Sequence, residues 1–181
     1  MTARAIRMLT IALMALTMAA CGFEPMYGAR PRGGSAASDL GAIELAPIVD
    51  AEGGPFRLGL LMKNALSDRL YASGSTAPRY RLEMSVERDL QGFGFRPDEA
   101  VTRYGLKLTA HYRLIDLATG NVALEESARA YNSYDVVQSD FATLMAERNM
   151  EERLARDLGE RISSRLGLYF RNRPAAAPAA P

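Results

Sequence analysis

Two stretches of strict alternation constrain this chain more than anything else in it. In "RYRLEMSVE", residues 79–87, Tyr80, Leu82, Met84 and Val86 share one phase, while Arg79, Arg81, Glu83, Ser85 and Glu87 take the other. From Thr102 to Ile115 the pattern recurs, with Tyr104, Leu106, Leu108, Ala110, Tyr112 and Leu114 in phase. Successive side chains of a strand point to opposite faces, so each stretch specifies a strand with one face in a core and the other in water.

The apolar face of such a sheet needs a cover, and two segments have the helical period to provide it. "PFRLGLLMKNALSDRLYA" places Leu58, Met62, Leu66 and Leu70 on one side, with Leu61 and Ala65 beside them, and Pro55 suits its first position. A second helix runs from about Ser139 to Arg171, capped by Ser139 or Asp140. Its stripe is Phe141, Leu144, Met145, Leu154, Leu158, Ile162, Leu166 and Tyr169. At about 1.5 Å per residue it is longer than a four-stranded sheet requires, so it overhangs or is bent or ended at Gly159 or Gly167.

The remaining elements are smaller. "AIELAPIV" is a short strand near an edge, because Pro47 cannot donate to a ladder, and Asp50 to Gly54 form a turn. "DLQGFGFRPDEA" reads as a loop in which Phe93 and Phe95 flank Gly94. These rings either dock into a partner or fold under the sheet edge. "DLATGN" connects a hairpin whose returning strand, "VALEESARAYNSY", alternates poorly and is an edge strand or carries a bulge. The order β-α-β-β-β-α gives an α/β (α+β) two-layer sandwich. Two helices lie on one face of a mixed four-stranded sheet, and a right-handed crossover joins the first two strands.

The N-terminus places this domain in context. Arg4 and Arg7 precede a 13-residue apolar run, Met8–Ala20, which is too short to span a bilayer and suits an export signal. Cys21, the sole cysteine, follows Met18-Ala19-Ala20. That tripeptide resembles a bacterial lipobox with Met in place of the usual Leu, and it also resembles an imperfect A-x-A-like cleavage site. On the lipobox reading Cys21 is lipidated and holds the chain on a membrane without a span. Residues 1–20 are then signal peptide, 21–40 lipidated N-terminus and flexible tether, 41–172 one domain, and 173–181 a disordered Ala/Pro tail.

Charge and motifs offer little chemistry. Twenty-two Lys+Arg against 21 Asp+Glu gives a net charge of +1, which does not suggest nucleic-acid binding. One cysteine excludes an internal disulfide framework and a Cys-rich metal site. The lone histidine, His111, lies on the wet sheet face without a nucleophile motif, and no nucleotide-binding or hydrolase fingerprint is present. No catalytic residue, metal ligand or cofactor is expected, and the chain is not read as an enzyme. Lys63 and Lys107 are the only lysines, so any anion would meet mainly arginine. Arg79, Arg81, Arg103, Lys107 and Arg113 share the wet face, where they either form a phosphate-holding patch or pair across strands with Glu83, Glu87 or Glu125.

The sequence resembles the LPS-assembly lipoprotein family, LptE. The likeness is carried by "CGFEPMYG" after the signal, the "IELAPI" strand, the "PFRLGLLMKNALSDRL" helix and the "YRLEMSV" strand. It continues through "YGLKLTAHYRLIDLATGNVAL" and the segment from "YNSYDVV" to "RLGLYF". The resemblance implies helices on a four-stranded sheet and a lipid anchor on Cys21 at the periplasmic face of the cell outer membrane. It also implies that the protein plugs the LptD barrel, assists its assembly and takes part in lipopolysaccharide delivery. Arg79, Arg81 and Lys107 are then the candidate lipopolysaccharide contacts, on charge and strand parity. An auxiliary lipoprotein of an intermembrane lipid-transport ABC system is the alternative.

Overall fold

A computed structural model describes residues 36–54, 56–95 and 101–173. Cys21, the export signal, Pro55 and residues 174–181 of the tail lie outside the described residues. In chain order the elements are α1 (Ala36–Leu40), β1 (Ile43–Leu45), β2 (Val49–Asp50), α2 (Arg57–Leu70), β3 (Tyr80–Phe95), β4 (Val101–Asp116), β5 (Val122–Asp135) and α3 (Asp140–Asn172).

The sheet order is β1-β3-β4-β5, with β2 continuing the β1 edge against β3. β1 and β2 run parallel to β3, and β3, β4 and β5 are antiparallel neighbours. The expected two-layer α+β sandwich with a mixed sheet is therefore the fold. Pro47 separates β1 from β2, dividing an edge strand where a missing N–H donor does least harm. β5 is the opposite edge and also carries an irregularity. Leu114 pairs with Leu124 while Ile115 pairs with Val122, which leaves Ala123 as an extra residue.

Alternation became burial as expected. Leu82, Met84, Val86, Leu106, Leu108, Ala110, Tyr112 and Leu114 are buried on the inner face, against Leu58, Met62, Leu66 and Leu70 of α2 and Leu154, Leu158, Ile162 and Leu166 of α3. The Asp50–Gly54 turn closes through Gly54 N–H donating to Asp50 Oδ1 at 2.7 Å. Gly120, at φ 71°, shapes the β4–β5 hairpin.

Four expectations need correction. The tether does not extend to residue 40, because α1 buries Ala36, Ala37 and Leu40 in the core. Likewise Arg173 caps α3 and donates to the Tyr80 hydroxyl, so it belongs to the domain. The segment from Asp89 to Phe95 is strand, since β3 stays in register with β4 from Tyr80↔Asp116 to Phe95↔Val101. Neither Gly159 nor Gly167 ends α3, for both are interior to it and buried. Gly159 instead lets α2 approach, and a Cβ there would stand 3.2 Å from the Ala65 Cβ.

Helix α2 begins at Arg57, with Phe56 in extended conformation (φ −146°, ψ 158°) as its cap residue. The Phe56 ring folds back against Gly59, where an added Cβ would lie 2.9 Å from it.

Candidate functional site

The outer sheet face is built from cross-strand rows that set opposite charges in the same row. Reading from β3 through β4 to β5, these rows include Glu83–Arg113–Glu125, Glu87–Thr109–Arg129 and Asp89–Lys107–Tyr131. At one end Glu44 of β1 stands beside Arg81, and at the other Arg103 stands beside Asp135. Rows of opposite charge are the favourable arrangement for directly opposed strand positions.

The three candidate lipopolysaccharide contacts take part in this pairing. Arg79 is bound to Asp39 of α1, Arg81 lies 3.3 Å from Glu44, and Lys107 lies 2.8 Å from Asp89. Arg103 and Arg113 are similarly held, to Asp135 at 2.5 Å and Glu83 at 3.0 Å. Hydrogen bonds from Lys107 and Arg103 hold the Asp89 and Asp135 carboxyls below the usual carboxylate range. Of the acids expected as cross-strand partners, only Glu83 serves among the described residues, for Arg113; Arg81, Lys107 and Arg103 pair across strands with Glu44, Asp89 and Asp135, and Arg79 turns to α1.

Nor do the three gather at one place. Arg81 is opposite Ile115 and Asp89 is opposite Lys107. Eight register positions therefore separate Lys107 from Arg81, about 26 Å at strand rise. Strand parity put Arg81 and Lys107 on one face, but Arg79 precedes β3 and turns to Asp39 of α1; parity carried no information about position along that face.

Between the ends, Glu83, Ser85, His111, Arg113, Glu125 and Ser127 line a shallow concavity of about 740 Å³. His111 is exposed, with Nε2 3.8 Å from Glu87. No group of metal-ligating side chains occurs among the described residues. Phe93 lies neither in a loop nor under the edge. It stands on the outer face of β3 and, with Tyr131 of β5, covers Gly105, where a Cβ would come within 2.7 Å of the Phe93 ring and 2.5 Å of the Tyr131 hydroxyl.

The inner face holds two polar ties, on Glu126 and Glu151, whose places in the adjacent pairs Glu125-Glu126 and Glu151-Glu152 suggested only solvated charges. Tyr112 donates to Glu126 Oε2 at 3.0 Å, and Arg165 of α3 reaches the same carboxylate at 3.4 Å and the Ser127 carbonyl at 2.5 Å. Burial, reinforced by the hydrogen bond to Glu126, pushes the Tyr112 phenol up to about 12. Further along, the buried Glu151 carboxylate of α3 is bound by Arg57 of α2 and by Arg88 of β3 at 3.2 Å. The adjacency of Glu125 and Glu126 was the available signal, since neighbours on a strand must face opposite sides.

The first turns of α3 depart from expectation. Phe141, Leu144 and Met145 continue its apolar stripe, yet all three are exposed, and the buried stripe begins at Met150. The inner sheet face at that end carries the stacked rings of Tyr104 and Tyr134, 5.7 Å apart, in place of aliphatic side chains. No helix among the described residues is long and apolar enough to cross a membrane.

Comparison with known proteins agrees with this architecture. A family model described as LptE, lipopolysaccharide-assembly, matches residues 40–166. An uncharacterized protein of Rickettsia prowazekii is 26% identical over 162 residues, covering 90% of this chain and 96% of that protein. The crystal structure of a candidate lipoprotein from Caulobacter crescentus superposes with a TM-score of 0.60 at 21% identity, covering 76% of this chain and 97% of that one. The solution structure of uncharacterized lipoprotein B from Nitrosomonas europaea gives a TM-score of 0.51 at 11% identity, covering 81% and 93%.

Proposed function

This chain belongs to the LptE lipopolysaccharide-assembly family, and on that premise we propose that it is an outer-membrane lipoprotein that plugs the LptD barrel. It assists assembly of that barrel and takes part in lipopolysaccharide delivery to the cell surface. The mature chain begins at a lipidated Cys21 and is held at the periplasmic face of the membrane. The observation that carries this reading is the span of the family match, from Leu40 at the end of α1 to Leu166 in α3, across every strand of the sheet.

The geometry suits a binding role. A two-layer domain with one helix-covered face leaves the other face of its sheet open to a surrounding wall, and ion-paired rows make that face polar without a strong net charge. At this face the phosphates of lipid A compete with Glu44 for Arg81 and, further along, with Asp89 for Lys107, and beside it with Asp39 of α1 for Arg79. Binding there is an exchange of anions around standing arginines and lysine.

Purification from gently solubilised outer membranes tests the reading. The expected result is a stoichiometric large barrel with the chain; recovery of an inner-membrane permease in its place would overturn it. Cys21→Ala is expected to leave the domain folded and release it from the membrane fraction. Unchanged fractionation, with no loss of fatty-acid labelling, would remove the anchor from the proposal.

A further inference from the structure

The exposed side of the first turns of α3 has a composition that the fold does not account for. Phe141, 72% exposed, is joined there by Leu144 and Met145, and the preceding Val137 adds to the same apolar end. Next along the helix come Arg148, Arg153 and Arg156, exposed and without an acidic partner among the described residues. Later arginines of the helix differ, since Arg161 is bound to Asp157 and Arg165 to Glu126.

Of the nearby acidic groups, Glu151 and Glu152 are bound elsewhere, while Asp140 at the helix start is exposed. Glu151 is buried between Arg57 and Arg88, and Glu152 lies 3.8 Å from Arg57. Glu147 is half-buried beside Tyr134 and helps to raise that phenol's pKa, after burial itself. What remains at the surface is a short apolar end beside Asp140, followed by three guanidinium groups that form no ion pair among the described residues, over about 22 Å of helix.

We propose that this segment, Phe141 to Arg156, is a docking face for an anionic phospholipid surface. Phe141, Leu144 and Met145 enter the boundary between headgroups and acyl chains, and Arg148, Arg153 and Arg156 hold phosphates at headgroup depth. Charge decides the occupant: planar arginine forks match phosphate oxygens, and apolar side chains beside them are the pattern of a helix lying in a membrane interface. α1 lies against the later part of α3, where Ala37 and Leu40 share a surface with Glu160, Ser163 and Ser164. The chain thus enters the domain near one end of α3, and the apolar end lies near the other. This face is separate from the open sheet face assigned to lipopolysaccharide.

The test uses the full chain with Cys21→Ser, which removes the sole thiol, and Met145→Cys carrying a polarity-sensitive fluorophore. Vesicles are phosphatidylcholine alone, or phosphatidylcholine and phosphatidylglycerol at about 2:1. The expected result is a blue shift with the anionic vesicles and none with the neutral ones. Joint replacement Arg148→Glu, Arg153→Glu and Arg156→Glu should weaken the response by more than about tenfold, with an unchanged far-ultraviolet circular dichroism spectrum.

An unmoved fluorophore, an equal shift on neutral vesicles, or full binding by the charge-reversed protein overturns the proposal. A shift that grows with protein concentration in the absence of vesicles assigns the face to a second copy and overturns it as well. The purification test of the barrel reading is unaffected by any of these outcomes.

Discussion

Arg88 of β3 donates to Glu151 of α3 at 3.2 Å, and the other carboxylate oxygen of Glu151 is taken by Arg57 of α2. One buried acid thus fastens three elements where the core ends. Removing it leaves two arginines that are already about half exposed and can rehydrate, so the cost is below that of a fully buried pair. Glu151→Ala is expected to destabilise the domain by about 1–2 kcal/mol in urea unfolding. Arg57→Ala and Arg88→Ala should be non-additive with it in a double-mutant cycle.

The contact between Gly159 and Ala65 sets the approach of α2 to α3. Because a Cβ at 159 would already stand 3.2 Å from the Ala65 Cβ, a β-branched side chain must push the helices apart. Gly159→Val is expected to lower stability by about 2–3 kcal/mol, read as a lower urea midpoint. A variant as stable as the parent would mean that the helices separate at no cost.

Tyr112 links stability to alkaline pH. Burial, with the hydrogen bond to Glu126, pushes its phenol up to about 12 from an ordinary value of 10.0. Between those values the unfolded chain releases the proton while the folded one keeps it, so unfolding is favoured as pH rises. Stability is therefore expected to be flat from this group below pH 10 and to fall between about pH 10 and 12. Tyr112→Phe should remove this group's share of the fall, measured by urea unfolding across that window.

Replacing Arg79, Arg81 and Lys107 together by Glu is expected to weaken lipopolysaccharide binding by about fivefold or more while leaving the barrel complex intact. The opposite change, Asp39→Asn with Glu44→Gln and Asp89→Asn, frees the same cations and is expected to strengthen it. Equal affinity of all three proteins, measured with immobilised lipopolysaccharide, would place the contact elsewhere.

The sheet was readable because one-sided burial imposes a two-residue period. It held from Tyr80 to Val86, where helices cover the inner face. Past Val86 the cover thins, and the inner positions are Arg88 and Leu90. The period therefore stopped announcing the strand although the ladder continued. The same limit explains Phe141, Leu144 and Met145, since helical spacing says that residues share a face and is silent on whether anything packs against it. In the candidate site, parity found the outer face of Arg81 and Lys107. The carboxylates beside them, and the distance between them, depend on the register of β1, β3 and β4, which no single strand encodes. The polar tie at Tyr112 needed burial, hydrogen bonding and a third element at once.

The parallel pairing of β1 with β3 also governs the order in which the chain can acquire structure as it emerges, N-terminus first, from the ribosome. Ile43 finds its ladder partner only at Tyr80, so Leu40, Ile43 and Ile48 travel unsheltered while α2 and its following turn are delivered. The β3–β4–β5 meander, by contrast, closes through short connections.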